Sequence, residues 1–502
     1  MKHIVQMQTG LGHVMMRLCV VAMTFLLAPT AFVATTHTLF TSLALADDGN
    51  NGGNNGGNNG GNNGGNNGGN NGGNDGNDGN DGNDGDDGDD GDDEGASAGS
   101  GQSEPTRDSN RRGPRSPAQA TAAQGGSLSE QAPDEILAAG LSEPQLADLV
   151  ARGYTVLERV ELDLVGPTLS RLQIPAATSL EAARDEVTGV GDDVTADFNH
   201  YYRVSAAPDQ DSDQIQTTCS GPGCAAKNLI DWPIASVGSG RCGPAVRIGL
   251  IDTGINADHA TFADGRLEVL ENPIAGRPDS GLKHGTAVAS ILIGSADSRT
   301  PGLLPHASVV AVDAFYRGAG NDERSDAFTI VRAAELVRER RVDIINMSLT
   351  GPPNAILEQL LNELDEDGII VVAAAGNRGP SAEPVYPAAY PTVIAVTAVD
   401  RDMRVYRRAG RGQHIDFAGP GVEVWIAASI RGARFATGTS YAVPFTTATV
   451  ALAISDLEVR NHQSVVEALA ITAIDIGEPG HDEVFGHGLM QATGLCSGEE
   501  DS

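Results

Sequence analysis

The stretch Val246-Arg-Ile-Gly-Leu-Ile-Asp-Thr-Gly254 decides the architecture. Its apolar run is short, Val/Ile/Leu-rich and apolar on both faces, as a strand covered by helices on each side requires. It ends in a carboxylate, Asp252, and Gly254 follows where the chain can leave the strand sharply. Outward from it, further buried strands are expected over 309–312, 344–347, 369–374 and 393–396. Between them, 285–293, 327–340 and 355–364 carry helical spacing, and 440–454 reads as a long apolar helix. Alternating strands and helices imply an α/β fold whose parallel sheet is covered on both faces. In such sheets the active site lies beyond the carboxyl ends of the strands.

Polar clusters stand where that rule places them. Asp252 closes the first strand, Lys283-His-Gly-Thr-Ala-Val-Ala289 opens a helix with His284, and Gly438-Thr-Ser-Tyr-Ala-Val-Pro444 opens another with Ser440. A hydroxyl is a weak nucleophile until a base takes its proton, and the base works best when a carboxylate fixes its tautomer. Asp252, His284 and Ser440 supply those three roles. Ser440 at a helix N-terminus also offers its backbone N–H where charge develops on an attacked carbonyl. A fourth cluster, Ala373-Ala-Ala-Gly-Asn377, ends another strand and presents the Asn377 amide as a second oxyanion donor. Taken singly, each has a plain structural reading as a strand end or a helix cap; together, in the order Asp, His, Ser on an alternating α/β pattern, they are far more specific.

With these motifs, and with Ile345-Asn-Met-Ser-Leu349, the region of about 228–496 resembles the subtilisin-like serine peptidases, or subtilases. The resemblance implies the three-layer subtilisin-like fold and a serine endopeptidase acting through an acyl-enzyme. In it Asp252 orients the base, His284 is base and then acid, Ser440 attacks and Asn377 stabilises the oxyanion. It further implies that Ser348, Leu349, Thr350 and Gly351 pair with an extended peptide, and that Ala373, Ala374, Ala375 and Gly376 help to wall the pocket before the scissile bond. Three positions depart from the family pattern: Tyr441 in place of Met, Val443 in place of Ala, and Thr350 in place of a Gly at the pocket wall. Thr350 narrows that pocket, so small or medium apolar side chains are expected there. No redox cofactor or catalytic metal is expected, and the family's calcium sites are not recognisable in this sequence.

Upstream, residues 133–204 form a second pattern. Strands are expected at 136–140, 155–162, 169–174 and 198–204, and helices at 143–152 after Ser142 and 180–187 after Ser179. That β-α-β-β-α-β order is the ferredoxin-like arrangement. A small α+β domain over 131–206, placed before the peptidase, resembles the pro-domains of many subtilases, which assist folding and inhibit by leaving their C-terminal segment in the cleft. Here that segment lies near Asp197-Phe-Asn-His-Tyr-Tyr-Arg203. The plain alternative is a permanently attached accessory domain. Residues 207–227 then connect the two, and 228–498 is the peptidase domain.

Residues 1–46 carry no acid, and Leu18-Cys-Val-Val-Ala-Met-Thr-Phe-Leu-Leu-Ala28 behind Lys2 and Arg17 reads as a signal h-region, with Ala44-Leu-Ala46 before a cut at Asp47. An uncleaved anchor is the alternative, and either reading implies export to the medium, periplasm or cell surface. No later segment reads as a membrane span. From 50 to 95 the chain repeats Asn-Asn-Gly-Gly, then Asn-Asp-Gly, then Asp-Asp-Gly, a composition expected to stay disordered. The Gly/Asn/Asp-rich tail and its Ser/Pro/Ala linker cover 47–130. The formal net charge is −34, and 13 of the 67 acids fall between Asp47 and Glu94. Both that tail and the milder acidity elsewhere argue against nucleic acid as a partner.

Cys219, Cys224, Cys242 and Cys496 remain after the signal, an even count that in an exported chain points to disulfides rather than zinc. Cys219 and Cys224 enclose a Ser-Gly-Pro-Gly turn and can close a small loop, which leaves Cys242 for Cys496, although four cysteines allow three connectivities. The leading function is an exported serine endopeptidase whose partners are polypeptide substrates and its own pro-domain. The rivals are an inactive subtilase fold that captures peptides, and a surface spacer or adhesin whose acidic tail is the functional part.

Overall fold

A computed structural model describes residues 128–205, 221–234, 237, 246–264, 266–457 and 459–496. The expected signal segment, the repeat tail, Cys219 and Cys242 lie outside the described residues.

The first domain runs β1 (Gln131–Ala139), α1 (Glu143–Ala151), β2 (Thr155–Val160), β3 (Leu169–Gln173), α2 (Leu180–Thr188) and β4 (Thr195–Val204). Its strands lie in the order β2-β3-β1-β4, with antiparallel pairing throughout. Local chemistry sets the helix starts. The Ser142 amide donates to the Gln145 side chain at 2.8 Å, and Ser179 Oγ accepts from the Ala182 amide at 3.2 Å. Strand alternation then divides β1 between two cores. Ile136 and Ala138 pack with Leu146, Leu149, Ala183 and Val187 of the domain's own helices, whereas Leu137 and Ala139 join the core of the larger domain.

The larger domain is built on seven parallel strands in the order β14-β13-β12-β10-β5-β7-β6. These are β5 (Arg247–Asp252), β6 (Leu267–Leu270), β7 (Ser308–Asp313), β10 (Ile344–Met347), β12 (Ile370–Ala374), β13 (Val393–Val399) and β14 (Phe417–Pro420). Three short strands, β8 (Tyr316–Arg317), β9 (Glu323–Asp326) and β11 (Leu349–Thr350), belong to the cleft, and β15 (Val424–Ala427) and β16 (Ala433–Ala436) form a separate hairpin. The helices are α3 (Cys224–Leu229), α4 (Lys283–Ile293), α5 (Ala327–Glu339), α6 (Ala355–Glu366), α7 (Thr439–Leu457) and α8 (His462–Ala470).

Because every central strand is apolar on both sides, the sheet feeds two cores. Ile248, Leu250, Ile344, Val372 and Ile394 face the layer of α4, α7 and α8. Ile251, Ile345, Met347, Val371 and Ala395 face α5 and α6. The sheet of the first domain lies on that second helical layer, with β4 against α5 and α6. Asn354 caps α6 by accepting from the Leu357 amide at 3.0 Å, while its Nδ2 donates to the Phe198 carbonyl at 3.0 Å. Asp197 accepts the Ala355 amide at 2.7 Å. Carboxylate and cap thus tie the last strand of the first domain to a helix N-terminus of the second.

Candidate active site

Asp252 ends β5 and His284 lies in the first turn of α4. The two are 1% and 4% exposed, and Asp252 Oδ1 meets His284 Nδ1 at 2.7 Å. The same oxygen accepts the Thr253 amide at 2.7 Å, so the carboxylate is fixed before it fixes the imidazole. Gly285 makes the approach possible, because a Cβ there would run into the Thr253 carbonyl; its amide instead donates to Thr253 Oγ1 at 2.9 Å. A brace stands behind this turn. Ser280 Oγ accepts the Gly254 amide and donates to Asp313 Oδ1, both at 2.7 Å. Burial pushes the Asp313 carboxyl up to about 6, against the Ser280 hydroxyl and the Phe315 amide, which favour its charged form.

Ser440 sits in the first turn of α7, fully buried. Its amide donates to the carbonyl of Ser205, the residue after β4, at 3.0 Å, and its hydroxyl contacts the same carbonyl oxygen and lies 3.1 Å from the Ser348 carbonyl. His284 Nε2, buried, has no hydrogen-bond partner among the described residues, so the hydroxyl is turned toward the strand rather than toward the imidazole. Pro444 explains a neighbouring contact. It lacks the N–H that would normally reach the Ser440 carbonyl four residues back, and Ser348 Oγ donates to that carbonyl instead, at 2.9 Å. Ser348 is itself held by Asn346 Nδ2 at 3.0 Å, and Asn346 Oδ1 accepts from Thr447 Oγ1 at 3.0 Å.

Asn377 is oriented by its carbonyl oxygen, which accepts from the Thr439 amide at 3.1 Å and the Thr439 hydroxyl at 3.2 Å. Its Nδ2 therefore faces Ser205, where it donates to Oγ at 3.0 Å and not to the carbonyl that Ser440 holds. The chain from Tyr201 to Ser205 lies as the middle of three antiparallel strands. On one side Val204 pairs with Leu349, Arg203 pairs with Thr350 and the Ser205 amide reaches the Ser348 carbonyl at 3.2 Å. On the other, Tyr201 pairs with Asp326 and Tyr202 with Ser325. Tyr202 is fully buried and donates from its hydroxyl to the Pro352 carbonyl at 3.0 Å. A Cβ on Gly351 would run into the Tyr202 ring.

Of the expected wall residues, Ser348, Leu349 and Thr350 meet this strand through their backbones, and Gly351 makes room for it. Ala373 and Ala374 place their side chains in the two cores on either side of the sheet, so only Ala375 and Gly376, beyond β12, come to the cleft end. The methyl carbon Cγ2 of Thr350 lies 3.7 Å from where a Cβ on Gly376 would stand. Cys224 and Cys496 are both disulfide-bonded. Among the described residues no group of three or more His, Cys, Asp and Glu side chains is arranged to hold a metal ion. No single helix among them is long and apolar enough to cross a membrane.

Several site residues have no role in the sequence reading, Asn346 among them although it lies in the Ile345–Leu349 motif. Asn346 carried a signal, an amide inside an otherwise apolar strand. Ser205 and the Ser280–Asp313 brace carried none, since nothing in their neighbourhood of sequence marks them.

The sequence and the fold have known counterparts. A model of the subtilase family matches residues 243–488. Subtilisin DY of Bacillus licheniformis is 32% identical over 266 residues, covering 50% of this chain and 90% of that protein. The minor extracellular protease Epr of Bacillus subtilis (strain 168) is 30% identical over 257 residues, and the match spans 50% of this chain but 39% of Epr. Among solved structures, fervidolysin from Fervidobacterium pennivorans, described as a keratinolytic enzyme related to subtilisin, aligns with a TM-score of 0.60 at 19% identity. The alignment covers 74% of this chain and 62% of that one, and it speaks for the fold alone.

Proposed function

The chain belongs to the subtilase family of serine peptidases, and from that premise we propose that it is an exported endopeptidase whose first substrate is its own residues 201–206. Asp252, His284 and Ser440 form the proposed triad. Ser440 Oγ attacks the carbonyl carbon of the peptide bond as His284 Nε2 takes its proton, and Asp252 holds the other ring N–H and steadies the imidazolium. The oxyanion is met by the Ser440 amide, with the Asn377 amide as second donor. His284 then gives its proton to the leaving amine, and water hydrolyses the acyl-enzyme by the same relay. These groups supply base, acid and nucleophile without a redox cofactor or catalytic metal.

One observation carries the reading: the Ser205 carbonyl rests on the Ser440 amide at 3.0 Å while the residues before it pair with β11 and β9 as an extended peptide. It supports a pro-domain over 131–205 that fills the cleft, with the bond between Ser205 and Ala206 as the processing point. The proposed partners are polypeptides and no nucleic acid, and the acidic tail is a spacer.

The test combines a fluorophosphonate probe with N-terminal sequencing of the full-length protein. The expected result is labelling of Ser440 that is lost in His284→Ala, a processed form beginning at Ala206, and an unprocessed Ser440→Ala chain. Labelling unchanged by His284→Ala, or no labelling at all, overturns the peptidase reading. A Ser440→Ala chain that still loses its first domain overturns self-processing.

A further inference from the structure

The residue two before Ser205 in the cleft is Arg203, and its guanidinium is met by a carboxylate of the larger domain. Nε donates to Asp322 Oδ1 and one terminal nitrogen to Asp322 Oδ2, both at 2.9 Å. This is the planar, two-pronged geometry in which Arg and carboxylate fit best. The Arg203 and Asp322 side chains are 18% and 7% exposed, so the pair is substantially shielded from water. Among the described residues Oδ1 has no other hydrogen-bond partner, whereas Oδ2 is also reached by Arg324 at 3.2 Å.

The hairpin of β8 and β9 presents both residues. Strand periodicity puts Tyr201 on the same face of the peptide as Arg203. Arg324 lies over the Tyr201 ring at 3.8 Å, and Arg277, 4.2 Å over the Tyr316 ring, is anchored to Asp326 at 2.6 Å. The carboxylate is thus set on an element fixed by a row of stacked rings and cations, not on a loose side chain. Arg203 makes one further bond, to the Ser129 carbonyl of the first domain at 2.9 Å. A free peptide lacks that partner, and Asp322 is then its charged contact.

From this geometry we infer that Asp322 is a specificity-determining residue, which selects polypeptides carrying arginine at the third position before the cleaved bond. The inference rests on the peptidase reading and on cleavage after Ser205. It concerns substrates supplied from outside as well as the chain's own segment, because the recognising groups belong to the larger domain.

The experiment uses the full-length protein after it has processed itself, and internally quenched peptides of sequence Tyr-Tyr-Arg-Val-Ser-Ala-Ala in which the Arg is replaced by Lys, Gln or Glu. Arg should be preferred, with kcat/KM about tenfold lower for Gln and about a hundredfold lower for Glu, and Lys between Arg and Gln. Asp322→Asn should bring the Arg peptide to the level of the Gln peptide. A merely structural hairpin would instead lower all peptides together and keep their ratios, which overturns the inference. Equal cleavage of the Arg and Gln peptides by the unaltered enzyme overturns it too, and leaves the peptidase reading intact. No cleavage of any peptide, with Ser440 unlabelled by the fluorophosphonate, overturns both.

Discussion

Asp416 offers a sharp test of the electrostatics, through the substitution Asp416→Asn. The residue precedes β14; its Oδ2 accepts the Ala395 amide at 2.7 Å and its own amide donates to the Ala395 carbonyl at 3.0 Å. Burial pushes the carboxyl up to about 7 even though the Ala395 bond favours the charged form. Since the folded value lies above the unfolded one of about 4, the folded state binds the extra proton between about pH 4 and 7. Its stability therefore falls as pH rises through that window, and the loss is complete above it. A gap of about three pH units corresponds to a ceiling of about 4 kcal/mol, which partial exposure of the residue reduces to about 2 kcal/mol. The Asn side chain keeps an oxygen for the Ala395 amide but cannot ionise. On an inactive Ser440→Ala background, urea unfolding followed by circular dichroism should give nearly equal stabilities with and without Asp416→Asn at pH 4. The substituted protein should gain about 2 kcal/mol by pH 8, the difference opening steadily between. A difference that does not change with pH, or a substituted protein less stable at pH 8, refutes the reasoning.

Further substitutions probe the site. Asn346→Ala leaves the Thr447 hydroxyl buried without its partner and frees Ser348, so urea unfolding should show a loss of about 2 kcal/mol. Its kcat should fall about tenfold with KM little changed, as measured on a short peptide. Gly351→Ala places a methyl where the Tyr202 ring lies, and self-processing followed by gel electrophoresis should slow by about tenfold or more; an unchanged rate would mean that Tyr202 does not sit there during cleavage. Thr350→Gly removes the methyl that faces Gly376, and a peptide library should then show cleavage after Phe rising relative to cleavage after Ala. A profile unaltered by the substitution would assign the pocket's width to other residues.

The central strands could be read from sequence because burial on both faces forces a continuous apolar run, as in Ile369 to Ala374. Asp252, His284 and Ser440 were readable because each sits at a strand end or a helix start. The remainder depends on partners distant in sequence. Phe417-Ala-Gly-Pro420 looks like a turn yet serves as the last strand of the sheet, β14, which pairs with β13 on one side and is bridged at Ala418 by Leu489 on the other. Glu323-Arg-Ser-Asp326 has no hydrophobic pattern because β9 contributes backbone pairing and charged contacts to β4 rather than a core face. The dependence of the Ser440 carbonyl on Ser348 follows from Pro444, but only the folded sheet brings Ser348 close enough to take the place of the missing amide.

The register of the cleft strand follows from two kinds of contact that need not have agreed. The backbone fixes it through the Ser205 amide on Ser348 and the Ser205 carbonyl on Ser440. The side chains fix it separately, with Tyr202 in the apolar space left by Gly351 and Arg203 on Asp322. Sliding the strand by one residue would turn every side chain to the opposite face. In one direction it would carry the guanidinium into the buried space of Tyr202 and set Val204 against the Asp322 carboxylate; in the other it would set the Tyr202 ring against that carboxylate, so the ion pair is lost either way. Burying an unpaired guanidinium costs several kcal/mol, more than one strand-pairing contact returns. Ser205, whose hydroxyl lies between Asn377 and Thr439, is thereby the residue whose carbonyl meets the Ser440 amide, and processing is expected after Ser205 rather than after Val204 or Ala206.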